Sequence, residues 1–291
     1  MVRVFKFGYV MFDVQNMDAM QRHYSDVLGL TLVEQESDGS AYLSTSVDHH
    51  NVVLARNNRS GLRAIGLQLA AGQSLADAQK YLNDIGLKTE MKSDSQPGVP
   101  QQLEFERDGY AVHLYTEMKE VGVGFKRSGV APNKVGHISV RSEDAKASVD
   151  LYRHLGFKNT DWIEDYFAFM TCNTDHHVLN FVTSEKRGMH HVAMELRGYS
   201  HMIQSLDWLG RNEVEVLWGP SRHGAGHNIA TYHVDPEGNM IELFCDLDVY
   251  IADLDQFDPR PWHESFPQKP MVWDTDACIT RWGTVFGKSL V

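Results

Sequence analysis

One module is written twice along this chain, and a duplicated unit constrains a fold more tightly than composition does, because each copy must bury the same faces. Phe7-Gly8-Tyr9-Val10-Met11-Phe12 reads as a strand. It leads into a helical pattern with Met17, Met20, Tyr24 and Leu28 on one face, opened by Asn16 and closed by Gly29. Val135-Gly136-His137-Ile138-Ser139-Val140 repeats that grammar, followed by Ala145, Val149, Tyr152 and Leu155 on one helical face and a stop at Gly156. Leu62 to Leu69 matches Met189 to Leu196, each a strand before a further helix; Ser74 caps the first of these helices and Gly86 ends it. Asp108 to Tyr115 matches Glu237 to Phe244, with a glycine in the turn that opens each strand. Equivalent positions fall at 9, 64 and 113 in the first copy (intervals of 55 and 49) and at 137, 191 and 242 in the second (54 and 51).

The copies differ in chemistry. The first has Tyr9, Ala64 and His113 at those positions; the second has His137, His191 and Glu242. Two imidazoles and one carboxylate form a set that holds a divalent ion on one face and leaves other positions open, as in non-haem Fe(II) oxygenases. Each candidate ligand lies in a short apolar strand, where an unpartnered polar group is costly. Strand alternation sends His191, Ala193 and Glu195 to one side and His190 to the other, so only one histidine of that pair is expected to face a given pocket.

Composition narrows the partners. A chain of 291 residues with 42 % hydrophobic residues can bury a substantial core in one or two domains. A net charge of −12 and the lack of any Lys/Arg block argue against nucleic-acid binding. No apolar run approaches the ~20 residues needed to span a bilayer, and the opening Met1-Val2-Arg3-Val4-Phe5-Lys6 does not read as a signal or transit peptide. A soluble, cytoplasmic protein without a membrane partner is the expectation. Three cysteines, Cys172, Cys245 and Cys278, without a C-x-x-C pair support neither a disulfide framework nor a zinc knuckle. Any metal is therefore expected on histidine and carboxylate.

Residues 117 to 134, with Gly122, Gly124, Gly129 and Pro132, have a linker's composition; beyond residue 246 the chain turns to Asp, Pro and Trp, which suits a tail packing its aromatics on a formed domain. Trp162, Phe167, Phe169 and Phe181 are candidate pocket walls that core packing would explain equally well.

Arg222-His223-Gly224, Tyr232, Asp235-Pro236-Glu237-Gly238-Asn239 and Glu242 together resemble the signature of the type I extradiol ring-cleavage dioxygenases of the vicinal oxygen chelate superfamily, the two-domain type similar to catechol 2,3-dioxygenase. The resemblance covers nearly the whole chain. It implies an α+β fold of two domains, each a cupped, partly closed sheet built from paired βαβββ modules: a vestigial domain over 1–120, a linker over 121–134, a catalytic domain over 135–250 and a tail over 251–291. It implies Fe(II) on His137, His191 and Glu242, with Mn(II) able to use the same ligands. Cys172-Asn173-Thr174-Asp175-His176-His177 is similar to the strand bearing the family's acid–base histidine. That role is carried over to His177, with His176 open as the alternative.

By the same resemblance His223 bonds substrate or an oxygen species, and Tyr232 binds a catecholate oxygen. The turn Asp235 to Gly238 reads as structural. The implied reaction is extradiol cleavage of a catecholic ring by O2 in aromatic-compound catabolism, and the implied assembly is a homo-oligomer, by analogy a tetramer. The alternatives are a glyoxalase-like isomerase of the same superfamily and a metal-free protein that sequesters a small molecule.

Overall fold

The computed structural model describes residues 2–122 and 128–285. Four βαβββ modules account for most of it. The first comprises β1 (Val4–Val14), α1 (Met17–Arg22, continued by a π-helical turn over His23–Val27), β2 (Thr31–Gln35), β3 (Ala41–Ser44) and β4 (Val52–Arg56). The second comprises β5 (Gly61–Leu69), α2 (Leu75–Asp84), β6 (Glu90–Gln96), β7 (Val99–Arg107) and β8 (Tyr110–Tyr115). The third is β9 (Lys134–Ser142), α3 (Ala145–Arg153), β10 (Lys158–Ile163), β11 (Phe167–Thr171) and β12 (Leu179–Thr183). The fourth is β13 (Gly188–Glu195), α4 (Tyr199–Arg211), β14 (Val216–Arg222), β15 (Ile229–Val234) and β16 (Met240–Cys245). Of the expected linker, residues 123–127 lie outside the described residues.

Each pair of modules shares one sheet, joined by an antiparallel pairing of the two first strands, β1 with β5 and β9 with β13. Each first strand pairs on its other edge, in parallel, with the last strand of its own module. The helices obey local signals: the Asn16, Ser74 and Asp144 side chains accept N–H bonds at the starts of α1, α2 and α3. Their apolar faces, carrying Met20, Leu82 and Val149, join one buried core that runs through both halves.

The halves are clasped by polar bonds as well. Glu237 Oε1 accepts the backbone N–H groups of Gln15 and Asn16 at 2.8 and 2.6 Å, and Tyr24 donates to Asp235 Oδ2 at 3.2 Å. Asp235 Oδ1 holds its own turn by accepting the N–H groups of Glu237 and Asn239. This turn is thus structural, and it also caps a helix of the other half.

Past β16 the chain forms the short pair β17 (Tyr250–Ile251) and β18 (Gln256–Phe257), then β19 (Met271–Trp273) and α5 (Thr275–Ile279). Strand β19 extends the second sheet, parallel to β10. Arg222 lies over the rings of Trp262 and Trp282, 4.4 and 5.7 Å from their centroids, which fastens the tail to the second sheet.

Candidate metal centre and its pocket

Three adjacent strands of the second sheet bring the ligand candidates together. His137 on β9 pairs with Ala193 on β13, and Ala193 pairs with Glu242 on β16. His191 lies two residues before Ala193 and shares its face. The distances between donor atoms are 3.3 Å from His191 Nε2 to His137 Nε2, 3.2 Å from His137 Nε2 to Glu242 Oε2, and 3.0 Å from His191 Nε2 to Glu242 Oε2. Three ligands at mutually right-angled positions with bonds of about 2.1 Å would lie about 3.0 Å apart, so this set fits a divalent ion held on one face.

All three side chains are buried. Burial acts to raise the Glu242 carboxyl, but the charge and hydrogen bonds of His137 and His191 outweigh it and hold the group well below the usual range. Burial lowers His137. Asn228 Nδ2 and the Tyr232 hydroxyl donate to Glu242 at 2.8 and 2.9 Å, orienting its two oxygens.

Glycine makes room for this arrangement. A register shift in the β9–β13 ladder falls at Gly136, and a Cβ there would lie 2.5 Å from the Phe244 ring, which packs on His137 at 4.9 Å between centroids. The first copy has a matching shift at Gly8, with Tyr115 in place of Phe244. There Tyr9 occupies the position of His137, its ring lying over Gly66 and its hydroxyl 2.7 Å from His113 Nδ1.

The strict alternation expected around His190 does not hold. The β9–β13 register shifts between Met189 and His191, so His190 is an extra residue in a bulge, and both histidines border the pocket. Their Nδ1 atoms are 2.7 Å apart. With His191 Nε2 turned to the ligand set, His191 Nδ1–H donates to His190, a bond that fixes the tautomer a metal ligand needs.

Cys172 to His177 is a second correction: it is not a strand but the turn joining β11 to β12, shaped by Asn173 Oδ1 accepting the Asp175 N–H. His177 lines the pocket, its ring 4.3 Å from that of His137; His176 does not line it and stacks on Phe257. Burial holds His177 well below the ordinary imidazole value.

Sequence reading overlooked a further repeat. Asp48-His49-His50 and Asp175-His176-His177 are offset by 127 residues, as are Ala64 and His191, and the shared Asp-His-His string was the available sign. Each aspartate pairs with a lysine near the start of its domain's first strand, Lys6 with Asp48 and Lys134 with Asp175.

His223 and Tyr232 converge on the same pocket. The Ile279 carbonyl accepts from His223 Nδ1–H at 2.7 Å, leaving Nε2 as an acceptor 3.3 Å from the Tyr232 hydroxyl. Burial lowers the imidazole and raises the phenol well above its usual value. Ile163, Phe167, Phe169, Ala225 and the tail residues Cys278 and Ile279 form the walls of this pocket. Of the expected aromatic walls, Trp162 and Phe181 are instead core contacts, Phe181 packing on Tyr152.

Residues 134–243 match the glyoxalase/bleomycin resistance protein/dioxygenase superfamily. The chain is 25 % identical to a metapyrocatechase of Pseudomonas sp. (strain CF600), over 84 % of this chain and 87 % of that protein. Among solved structures it is similar to homoprotocatechuate 2,3-dioxygenase from Arthrobacter globiformis, with a TM-score of 0.85, 21 % identity and coverage of 99 % of this chain and 90 % of that one. It is also similar to an Mn(II)-bound glyoxalase from Novosphingobium aromaticivorans, with a TM-score of 0.87, 24 % identity and coverage of 100 % and 95 %.

Proposed function

We propose that this chain, whose residues 134–243 match the glyoxalase/bleomycin resistance protein/dioxygenase superfamily, is an extradiol dioxygenase that opens a catecholic ring with O2. The observation that carries the reading is the conjunction of three buried ligand atoms 3.0–3.3 Å apart with His177, His223 and Tyr232 around one largely apolar pocket. The metal assigned to His137, His191 and Glu242 is Fe(II), which when bound supplies a Lewis acid for the catechol oxygens and a one-electron route between catechol and dioxygen.

The side chains take the remaining work. Phe167, Phe169 and Ile163 hold the ring and exclude water. The Tyr232 hydroxyl has one proton, which it turns from Glu242 to a catecholate oxygen as substrate binds, and His223 Nε2, an acceptor, takes a hydrogen bond from a protonated oxygen of the substrate. Catechol must lose a proton to become a strong donor, and breaking the O–O bond needs a proton on the departing oxygen. His177 takes the first and returns it for the second, a shuttle suited to an imidazole. Both atoms of O2 enter the product, a 2-hydroxymuconic-semialdehyde-type compound. In this reading the substrate and O2 are the small-molecule partners and the working form is a homo-oligomer.

Anaerobic loading with Fe(II), and in parallel with Mn(II), followed by air and a panel of catechols tests the reading. The expected result is a yellow product with one O2 consumed per catechol. Metal bound at one per chain with no O2 uptake from any catechol would refute it and favour a glyoxalase-type isomerisation on the same fold.

A further inference from the structure

Two more buried groups stand in line behind His177. His176 is fully buried, and Asp161, on β10 and outside the pocket wall, is 2 % exposed. Asp161 Oδ2 lies 3.0 Å from His176 Nε2 and accepts the Trp273 indole N–H at 2.7 Å, while Oδ1 accepts the Met271 backbone N–H at 2.8 Å. His176 Nδ1 lies 2.9 Å from His177 Nδ1, with the two rings perpendicular.

The proton positions follow from what each group can do. A carboxylate only accepts, so His176 carries its proton on Nε2 and donates it to Asp161. With one ring proton, placed on Nε2, His176 has Nδ1 as an acceptor, and His177 Nδ1–H donates to it. His177 Nε2 is then bare. Gly226 packs on this junction: a Cβ there would sit 3.2 Å from both His176 Nδ1 and His177 Cε1.

We propose that Asp161, acting through His176, sets the tautomer of His177, and that strand β19 of the tail completes the relay by gripping Asp161. Asp161 and His176 are positioning residues. The inference rests on His177 being the group that moves the substrate proton: with Nε2 bare it accepts the proton from a catechol hydroxyl, and the opposite tautomer would present an N–H and could not.

The first copy shows what the tail adds. Glu34, His49 and His50 repeat the line, with Glu34 Oε2 3.1 Å from His49 Nε2 and His49 Nδ1 3.1 Å from His50 Nδ1. Yet the Glu34 side chain is 48 % exposed, and the ligand positions there hold Tyr9, Ala64 and His113. Burial of the acid under an indole and a backbone amide belongs to the copy with the ligand set.

The test uses the full chain labelled with 15N-histidine and free of metal, where ring-nitrogen shifts report each tautomer. The expected result is His177 protonated on Nδ1, a mixture of tautomers in Asp161→Leu, and the wild-type pattern in Asp161→Asn, whose amide oxygen still accepts from His176. After Fe(II) loading, kcat of Asp161→Leu falls by about 10²-fold, the lower end of what a positioned acid–base group contributes. KM for catechol stays within about 3-fold, because ground-state binding is untouched. Asp161→Asn recovers most of kcat.

A wild-type His177 protonated on Nε2, or an Asp161→Leu variant with unchanged tautomer and kcat, would overturn the proposal. If Asp161→Leu does not fold, His176→Phe removes the acceptor instead, and an unchanged His177 tautomer there is equally fatal. The nitrogen measurement needs neither metal nor substrate. A wild-type enzyme that consumes no O2 therefore defeats the functional reading while leaving the tautomer result standing.

Discussion

Substituting Gly136 by alanine should damage stability and metal binding together, whereas Gly8→Ala should damage stability alone. The Cβ at Gly136 would sit 2.5 and 2.7 Å from two Phe244 ring carbons, against a comfortable carbon–carbon separation of about 3.5–4.0 Å. Phe244 is 1 % exposed and packs on His137, so the roughly 1 Å of relief must come from the ring, the strand or His137 itself. Overpacking of this kind costs about 1–3 kcal/mol. At about 2–4 °C per kcal/mol for a chain approaching this size, calorimetry of the metal-free protein should show a drop of several degrees. Displacing His137 spreads the donor atoms, and metal titration should show a weakened site.

In the first copy the added methyl would lie 1.8 Å from the Tyr115 hydroxyl oxygen, an overlap at least as severe, but no ligand candidate leans on that ring. Gly8→Ala should therefore melt lower and still bind one metal per chain with wild-type affinity. If Gly136→Ala melts within a degree of wild type and keeps its metal affinity, the bulge does not position His137 and the reasoning fails.

Replacing His137, His191 or Glu242 by alanine should abolish metal binding in elemental analysis, while His113→Ala should leave metal content unchanged. His177→Phe should retain metal and catechol affinity but lose about 10²–10⁴-fold in kcat, measured by oxygen uptake. Acid should weaken the fold through histidines buried in neutral form. Burial lowers His23 to about 4, and His50 and His233 each to about 3. Below about 6.5 the unfolded chain takes up protons that the folded chain refuses. Stability therefore falls from that pH down towards these folded values, with a limiting slope of about 1.4 kcal/mol per pH unit for each histidine. Urea midpoints of the metal-free protein at pH 7.0 and 5.5 measure it, and His233→Phe should flatten the difference.

Much of the centre is legible in order along the chain. Spacing alone aligned Tyr9, Ala64 and His113 with His137, His191 and Glu242, because a repeated module places equivalent residues on equivalent strands, and in a strand the side chain's face follows from counting. Counting failed where backbone geometry departs from the regular ladder. The bulge at His190 turns both members of a histidine pair towards one pocket, and the turn at Cys172–His177 has no alternation to count.

The repeat, the helix caps and the identity of the three ligand candidates are determined by sequence, since each rests on local periodicity or on comparison of the two copies. Tertiary structure decided that His177 rather than His176 borders the pocket, that Asp161 stands behind them, and that the tail closes the site through Cys278 and Ile279. Those contacts join residues far apart in the chain, Asp161 with Trp273 and His223 with Ile279. Asp161 and Trp273 are ordinary members of their own segments. Their meaning arises only where two strands distant in sequence, β10 and β19, pair side by side and bury a carboxylate that must then find its donors.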